Sequence, residues 1–532
     1  MHSPGILLVG PYDPNCGEYT FLAPPLGVWR LAGVLESAGA RVKVFDPNCC
    51  AGPPTRALER EILSGGWDVI GISTTGMTLR FDLELAHLAR RMAPRALLVA
   101  GGMEATFRPE LVYRLGPFDL VVLGEGERPL LELLSRLRAG AALTGIPGTA
   151  ERAADGTVRR LPQAALDGAA LREAVFHIPY ERMPYRAYWE RLEAAYRVGS
   201  LPTKAAREAR LAEIRAVRLI TLNYCPMGCT FCAATNFLHD AQGSVASIAR
   251  LDAGDCVRML ERIVAAHPTV RTVIFQDDIF VFTKDRRILP LCEGIVAAKQ
   301  SGTLPAELQF ISTNRIDAMS RERLTAMRRA GFRVLGFGIE NFSRQILGEF
   351  NKAQVHAHIE PTLATALELG IVPFLDIILS SPRATLEDLA TTLRGCWHWL
   401  QQGCEVGIYP YVIPFSGAAM ARDPALLPHT VCERRQVRGS DIQWDQPAKI
   451  LPVDAQVCAT VLAIERSYEA QLAELQQHGA HLPSRTRSLL WILASLEPMA
   501  ARGLPIAESA AVRAALRARM PQPRRAPLLA SA

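Results

Sequence analysis

The sequence predicts an α/β protein: a doubly wound, Rossmann-like parallel sheet, then a (β/α)6 partial TIM barrel, then a helical C-terminal region. Three observations predict this. Strand-like runs alternate with helical patterns through the first 130 residues or so. Most of those runs are continuously apolar, as parallel strands covered on both faces must be. A second alternation of the same kind starts at Ala216 and fades near residue 425.

In the first part, Gly5–Gly10 is a short apolar run, and Leu26, Val28, Leu31, Val34 and Leu35 then recur at helical spacing up to Gly39. Arg41–Phe45 alternates; Asp68–Ser73, Ala96–Ala100 and Leu120–Leu123 are apolar strands. Residues 146 to 162 carry Ile-Pro-Gly and Asp155-Gly156 between short β-like runs, which suits a hairpin closing a domain over residues 1–162. Residues 163–212 are rich in Ala, Arg and Glu and read as a partly helical linker.

The second series has runs at Val217–Leu222, Val270–Phe275, Gln309–Thr313, Val334–Ile339, Phe374–Leu379 and Val406–Val412. Gly331 and Gly370 stand where helix C-caps are expected. These six units assign residues 213–425 to a partial barrel, with ligands expected at the C-terminal strand ends. Residues 426–532 read as helical without further strands, ending in a disordered tail from Pro521.

Composition narrows the class. At roughly 150 residues per domain, 532 residues suggest two to four domains, and 49% hydrophobic with 21% charged residues excludes a disordered or fibrous chain. No apolar run approaches the ~18 residues of a membrane span. Met1–Gly10 lacks a signal-peptide pattern, so a cytoplasmic protein is expected. The net charge of +6 is scattered in short basic stretches such as Arg321–Arg323 and Arg434–Arg438, which suit solvated helix faces better than nucleic acid. The twelve cysteines should then be thiols.

Three of them are grouped. Asn223-Tyr-Cys-Pro-Met-Gly-Cys-Thr-Phe-Cys232 places Cys225, Cys229 and Cys232 directly after the first strand of the second series. A structural zinc site wants four protein ligands, and His239 is the nearest candidate for a fourth. A 4Fe–4S cluster on three thiolates leaves one iron open for a small ligand, which suits this loop better.

This C-x3-C-x2-C loop, after the first strand of a six-stranded series, resembles the radical S-adenosylmethionine (SAM) superfamily. The resemblance implies further roles. Phe231 matches the aromatic position whose backbone lies by the SAM adenine. Gln276, Asp277 and Asp278 end the second strand, where the family holds the SAM amino group; read alone, paired carboxylates also suit general acid/base work or a metal. Ser312, Asn314 and Arg315 end the third strand and suit ribose hydroxyls and the SAM carboxylate, although Arg315 also reads as a solvated helix-start charge. Glu340, in Gly-Phe-Gly-Ile-Glu-Asn, resembles a ribose or substrate contact. Leu379-Ser-Ser-Pro-Arg-Ala-Thr385 departs from the family's Gly-Leu-Pro-Gly-Glu-Thr turn, but Thr385 can still cap the next helix. Tyr409 and Tyr411 end the sixth strand and either line the cavity or pack.

The first domain has Pro-Pro-Leu-Gly27 at its first helix, Gly101-Gly102 after its fourth strand and Gly-Glu-Gly-Glu127 after its fifth. It has neither a G-x-G-x-x-G fingerprint nor a P-loop. Preceding a radical SAM region, it resembles the cobalamin-binding domain of cobalamin-dependent radical SAM enzymes. That resemblance places the corrin against Ser73, Thr74, Thr75, Gly76 and Met77, and the nucleotide tail near Gly101, Gly102, Met103, Gly124, Glu125 and Gly126. None of the eleven histidines sits in Asp-x-His-x-x-Gly, so no imidazole from this domain should ligate cobalt. Cys16, Cys49 and Cys50 could suggest the extra cluster of a methylthiotransferase, but that family's spacing is absent.

The resemblance as a whole implies three cofactors: a 4Fe–4S cluster, SAM and cobalamin. Its chemistry would be methylation of an unactivated carbon through a 5′-deoxyadenosyl radical and methylcobalamin. A cyclase, rearrangement or ring-contraction catalyst of the same architecture is the alternative, and a metal- or cobalamin-sensing binding protein the non-enzymatic one. Expected partners are a small-molecule or peptide substrate and an electron donor such as flavodoxin or ferredoxin, with neither nucleic acid nor a membrane span.

Overall fold

A computed structural model describes residues 3–14, 23–352, 356–476 and 484–519. Cys16 and the tail from Pro521 lie outside the described residues.

The N-terminal sheet contains β1 (Gly5–Val9), β2 (Arg41–Phe45), β3 (Val69–Ser73), β4 (Leu97–Gly101), β5 (Leu120–Val122), β6 (Thr149–Arg152) and β7 (Val158–Leu161), in spatial order β2-β1-β3-β4-β5-β6-β7. The first five are parallel, and β5, β6 and β7 pair antiparallel as the expected closing hairpin. β1, with every residue buried, is covered on both faces: Leu7 and Val9 pack into one core layer, Ile6 and Leu8 into the other. The strand order reverses between β1 and β3, where an open α/β sheet leaves a crevice for a ligand.

The second sheet is a parallel run of six strands: β8 (Ala216–Leu219), β9 (Thr272–Phe275), β10 (Gln309–Asn314), β11 (Phe332–Glu340), β12 (Val372–Ile378) and β13 (Glu405–Tyr409). Its outer face carries Val217, Phe310, Leu335, Leu375, Ile377 and Val406, all fully buried against the surrounding helices. The inner face carries the half-buried or exposed Gln276, Thr313, Phe374, Asp376 and Tyr409, which therefore line the lumen. Thr385 caps the helix Leu386–Gln402 in a full capping box with Asp388.

Residues 163–212, read above as a partly helical linker, hold helices Gly168–Phe176, Tyr185–Ala195 and Lys204–Ile214, and the segment packs into the same core as the barrel through Leu171, Tyr180, Tyr185 and Trp189. Arg- and Glu-rich outer faces hid those anchors. The C-terminal region is not helical throughout, because β14 (Thr430–Gln436) and β15 (Gln443–Ile450) form an antiparallel hairpin. Its strands, TVCERRQ and QWDQPAKI, are mostly polar and lack the alternation that marks a half-buried strand. Tertiary packing holds it instead: Val437 and Trp444 are buried in the core of the N-terminal domain. Helices Ala455–Gln476, Ser484–Ala500 and Ser509–Arg517 complete the chain. No helix among the described residues is long and apolar enough to cross a membrane.

Candidate active site

The three thiols lie on the loop that leaves β8, all free and half-buried. Main-chain and side-chain contacts shape this loop. Gly228 adopts φ +67°, a left-handed turn that glycine permits without strain. Thr235 Oγ1 accepts from the Gly228 amide at 3.0 Å and donates to the Cys225 carbonyl at 2.8 Å. The far side is tied to the segment after β11: the Thr230 amide donates to the Phe350 carbonyl at 3.0 Å, and Asn351 Nδ2 donates to the Gly228 carbonyl at 3.0 Å. Phe231 packs edge-on to Phe350, with ring centroids 4.9 Å apart. Burial pushes the thiols of Cys225 and Cys232 up to about 12 and about 11, so iron must displace protons to bind them.

The strand-end residues divide into two groups. Asp278 reaches solvent at the barrel mouth, where Cys225 and Cys232 both feel its charge, and the surrounding protein raises its carboxyl. Gln276 is exposed beside it. Asp277 instead points into the core, with its carboxylate occupied by Thr221 and Leu222, so it is not offered to SAM. Period-two alternation along the strand end separates these neighbours, and the sequence motif alone does not say which one faces in.

Ser312 and Asn314 are buried and bond to each other, with Asn314 Nδ2 donating to Ser312 Oγ at 3.0 Å. Arg315 forms a two-pronged pair with Asp317, at 2.8 and 2.6 Å, and reaches the sulfur of Met227 in the cysteine loop at 3.0 Å. Its guanidinium thus braces the loop from below rather than lying in solvent. Glu340 holds φ +64°, unusual for a residue with a side chain, at an irregularity where β11 pairs with β12. Lys352 Nζ lies 2.9 Å from Glu340 Oε1.

Across from the barrel mouth stand the C-terminal strand ends of the N-terminal sheet. Gly102 turns with φ +94°; a Cβ there would meet the Thr74 carbonyl at 2.5 Å. Gly101 opens onto free space, with nothing within 4 Å of where a side chain would start, and Met77 is 69% exposed. Buried Asp82 fixes the neighbouring loops: the Tyr12 amide donates to it at 2.9 Å and the Thr78 hydroxyl at 2.6 Å. Thr74 Oγ1 donates to the Gly101 carbonyl at 2.9 Å. Gly124 leaves room for Ala241 of the barrel, since a Cβ at Gly124 would lie 2.5 Å from the Ala241 Cβ. Glu125 is turned inward, accepting the Leu166 amide at 2.7 Å, and burial raises its carboxyl to about 7.

The segments that follow the two sets of strand ends touch. Ser416, just beyond β13, donates to Glu104 at 3.3 Å, and Arg108 donates to Gln446 of the hairpin at 3.0 Å. Residues 12–134 match the B12 binding domain family and residues 219–395 match the Radical SAM superfamily, in that order along the chain. This chain belongs to the cobalamin-dependent radical SAM enzymes.

Relatives agree with that placement. An uncharacterized methyltransferase, PH0819, of Pyrococcus horikoshii is 25% identical over 70% of this chain and 72% of its own length. The anaerobic magnesium-protoporphyrin IX monomethyl ester cyclase of Cereibacter sphaeroides is 22% identical over 74% of this chain, which spans 60% of that longer relative. The fold is shared with the radical SAM methyltransferase TsrM of Kitasatospora setae (TM-score 0.61, 16% identity, 86% of this chain and 81% of that one). It is also shared with the cobalamin-dependent radical SAM enzyme OxsB (TM-score 0.67, 15% identity, 97% and 75%).

A cobalamin-dependent radical SAM enzyme uses a 4Fe–4S cluster, SAM and cobalamin, and the residues here fit all three. The thiols stand clustered on a curled loop, Asp278 is exposed beside them, and Gly101 leaves open space at the C-terminal end of β4. Sequence reasoning missed Lys352, Asp376 and Gln446. Lys352 and Gln446 sit outside the strand ends that the motif names, and only the folded chain brings them in. Asp376 did leave a signal, a single acid in the apolar strand VPFLDII.

Proposed function

We propose that this protein transfers a methyl group to an unactivated carbon of a small molecule or peptide. One observation carries the reading: the open strand ends of the cobalamin-binding sheet face the mouth of the barrel that bears Cys225, Cys229 and Cys232, joined through Ser416–Glu104 and Gln446–Arg108. A substrate in the barrel lumen then lies between the two cofactor sites. When bound, the cofactors supply SAM cleavage and methyl carriage, and the protein supplies placement.

Each part of that placement has residues. Cys225, Cys229 and Cys232 hold the cluster, Asp278 and Gln276 meet the SAM amino group, and Glu340, oriented by Lys352, meets the ribose or substrate. Ser73, Thr75, Gly76 and Met77 face the corrin, while Gly101, Gly102 and Met103 border its nucleotide tail. Thr74, Glu125 and Asp277 act from behind, through the backbone they hold. An external one-electron donor of the flavodoxin or ferredoxin kind would feed the cluster.

The test is anaerobic reconstitution with SAM labelled at its methyl group. The reading expects about four irons and one corrinoid per chain, formation of 5′-deoxyadenosine, and label on the product. The cob(II)alamin spectrum should lack nitrogen superhyperfine splitting. The similarity to the cyclase supports a second reading, in which SAM is cleaved but the label stays out of the product.

A further inference from the structure

We propose that Asp376 is a substrate-specificity residue that anchors a protonated nitrogen of the substrate. This deepens the functional reading above and rests on it.

Asp376 stands on the lumen face of β12, between the fully buried, outward-facing Leu375 and Ile377. Its partners in register on the flanking strands are Gly338 of β11 and Gly407 of β13. The carboxylate is therefore flanked by a missing side chain on each side. A side chain at either position would crowd its neighbours. A Cβ at Gly407 would lie 3.2 Å from the Phe374 ring and 3.6 Å from Asp376 Oδ1, and one at Gly338 would lie 2.3 Å from Glu340 Oε1. Phe374 lies two residues before Asp376 on the same face, itself opposite Gly336. On the next strand, Tyr409 is 48% exposed and feels the charge of Asp376.

Among the described residues Asp376 makes no hydrogen bond, and the charges it feels are Glu340 and Lys352. Those two pair with each other at 2.9 Å, so Lys352 offsets the charge of Asp376 only in part. Burial, and secondarily Glu340, raises its carboxyl to about 7. A cation entering the lumen would favour the ionised form through a charge-assisted bond, and Phe374 and Tyr409 offer it aromatic faces. A carboxylate between two aromatic rings suits an amine far better than an anionic or purely apolar group.

SAM has its own carboxylate. Asp278, just after β9, is the aspartate whose charge reaches Cys225 and Cys232, whereas Asp376 stands on β12, three strands away across the sheet. Asp376 is thus set apart from the position where SAM meets the cluster, on the side where a second molecule must lie.

The experiment uses reconstituted holoenzyme and a matched pair of probes, phenethylamine and phenethyl alcohol, with binding measured by calorimetry. The amine should bind wild type at least ten-fold more tightly than the alcohol. Asp376→Asn should weaken the amine roughly ten- to hundred-fold, Asp376→Glu should retain part of the preference, and neither should move the alcohol. Iron content and SAM affinity should match wild type in both variants. Equal binding of amine and alcohol, or binding of neither, overturns the proposal. A ten-fold loss of SAM affinity in Asp376→Asn also overturns it, by making Asp376 a SAM ligand. Failure of the wild type to cleave SAM under reduction would instead refute the functional reading, whatever the probes do.

Discussion

Asp277 grips Thr221 twice: the Thr221 amide donates to Oδ1 at 2.6 Å and its hydroxyl to Oδ2 at 2.5 Å. The Leu222 amide adds a third bond at 2.9 Å, three residues before the first cluster cysteine. The two acids that end β9 therefore do different work. Asp277→Ala should lower stability by about 2–4 kcal/mol, because buried donors lose a charged acceptor, and should reduce the iron retained after reconstitution. Asp278→Asn should leave iron content intact and weaken SAM binding roughly ten- to hundred-fold. Thermal melts, iron assays and SAM titrations on both variants separate the roles, and the reverse pattern would reverse the assignment.

Replacing Cys225, Cys229 or Cys232 by Ala should abolish the cluster absorbance and all 5′-deoxyadenosine formation. Cys256 and Cys292 are buried in the core of the barrel away from the loop, so Ala at either should cost about 1 kcal/mol of stability and leave the cluster in place. A full cluster signal in Cys229→Ala would refute the ligand set.

Gly102→Ala tests the cobalamin side. The new Cβ must occupy φ +94° at 2.5 Å from the Thr74 carbonyl, so the turn after β4 has to open. The expected result is a loss of at least ~2 kcal/mol and corrinoid retention well below the wild-type level after gel filtration. Normal corrinoid content with normal stability would remove this turn from the site.

Asp46 gives a pH dependence of defined sign. It accepts the Tyr188 hydroxyl at 2.6 Å, tying helix Tyr185–Ala195 to the N-terminal sheet. Burial raises its carboxyl to about 6 despite that bond. The folded chain thus holds the proton more tightly than the unfolded one, whose aspartates titrate near about 4. The stability from this proton is complete below about pH 4 and is lost as pH rises through 6. Asp46→Asn removes the titration and keeps an acceptor for Tyr188. Between pH 5 and pH 7.5, wild type should lose on the order of 1–3 kcal/mol more than the variant in urea unfolding. Equal losses would contradict the assignment.

The parallel strands were legible because apolar runs such as Gly5–Val9 and Val69–Ser73 must be buried on both faces whatever surrounds them. The cysteine loop was legible because its spacing is local. Orientation was not: Asp277 and Asp278 differ only by the pleat, and Glu125 reads as a ligand contact until its carboxylate is seen turned to the Leu166 amide. Nor were the contacts that depend on how the chain returns on itself. Lys352 meets Glu340 only because the chain doubles back after β11, and Gln446 reaches Arg108 from 338 residues away. The hairpin that carries Gln446 has no core of its own, so its strands leave no trace in hydropathy.

That hairpin also bears on how the protein is made. Trp444 is 4% exposed within the core of the first domain, yet it is synthesised long after that domain's own strands. At about 5–20 residues per second, a ribosome needs on the order of half a minute to travel from the end of β7 to Trp444. Throughout that interval the core of the first domain lacks Trp444. The domain that holds cobalamin is thus finished by a segment made after the whole barrel, so a nonsense mutation ahead of Trp444 would leave the first domain's core incomplete.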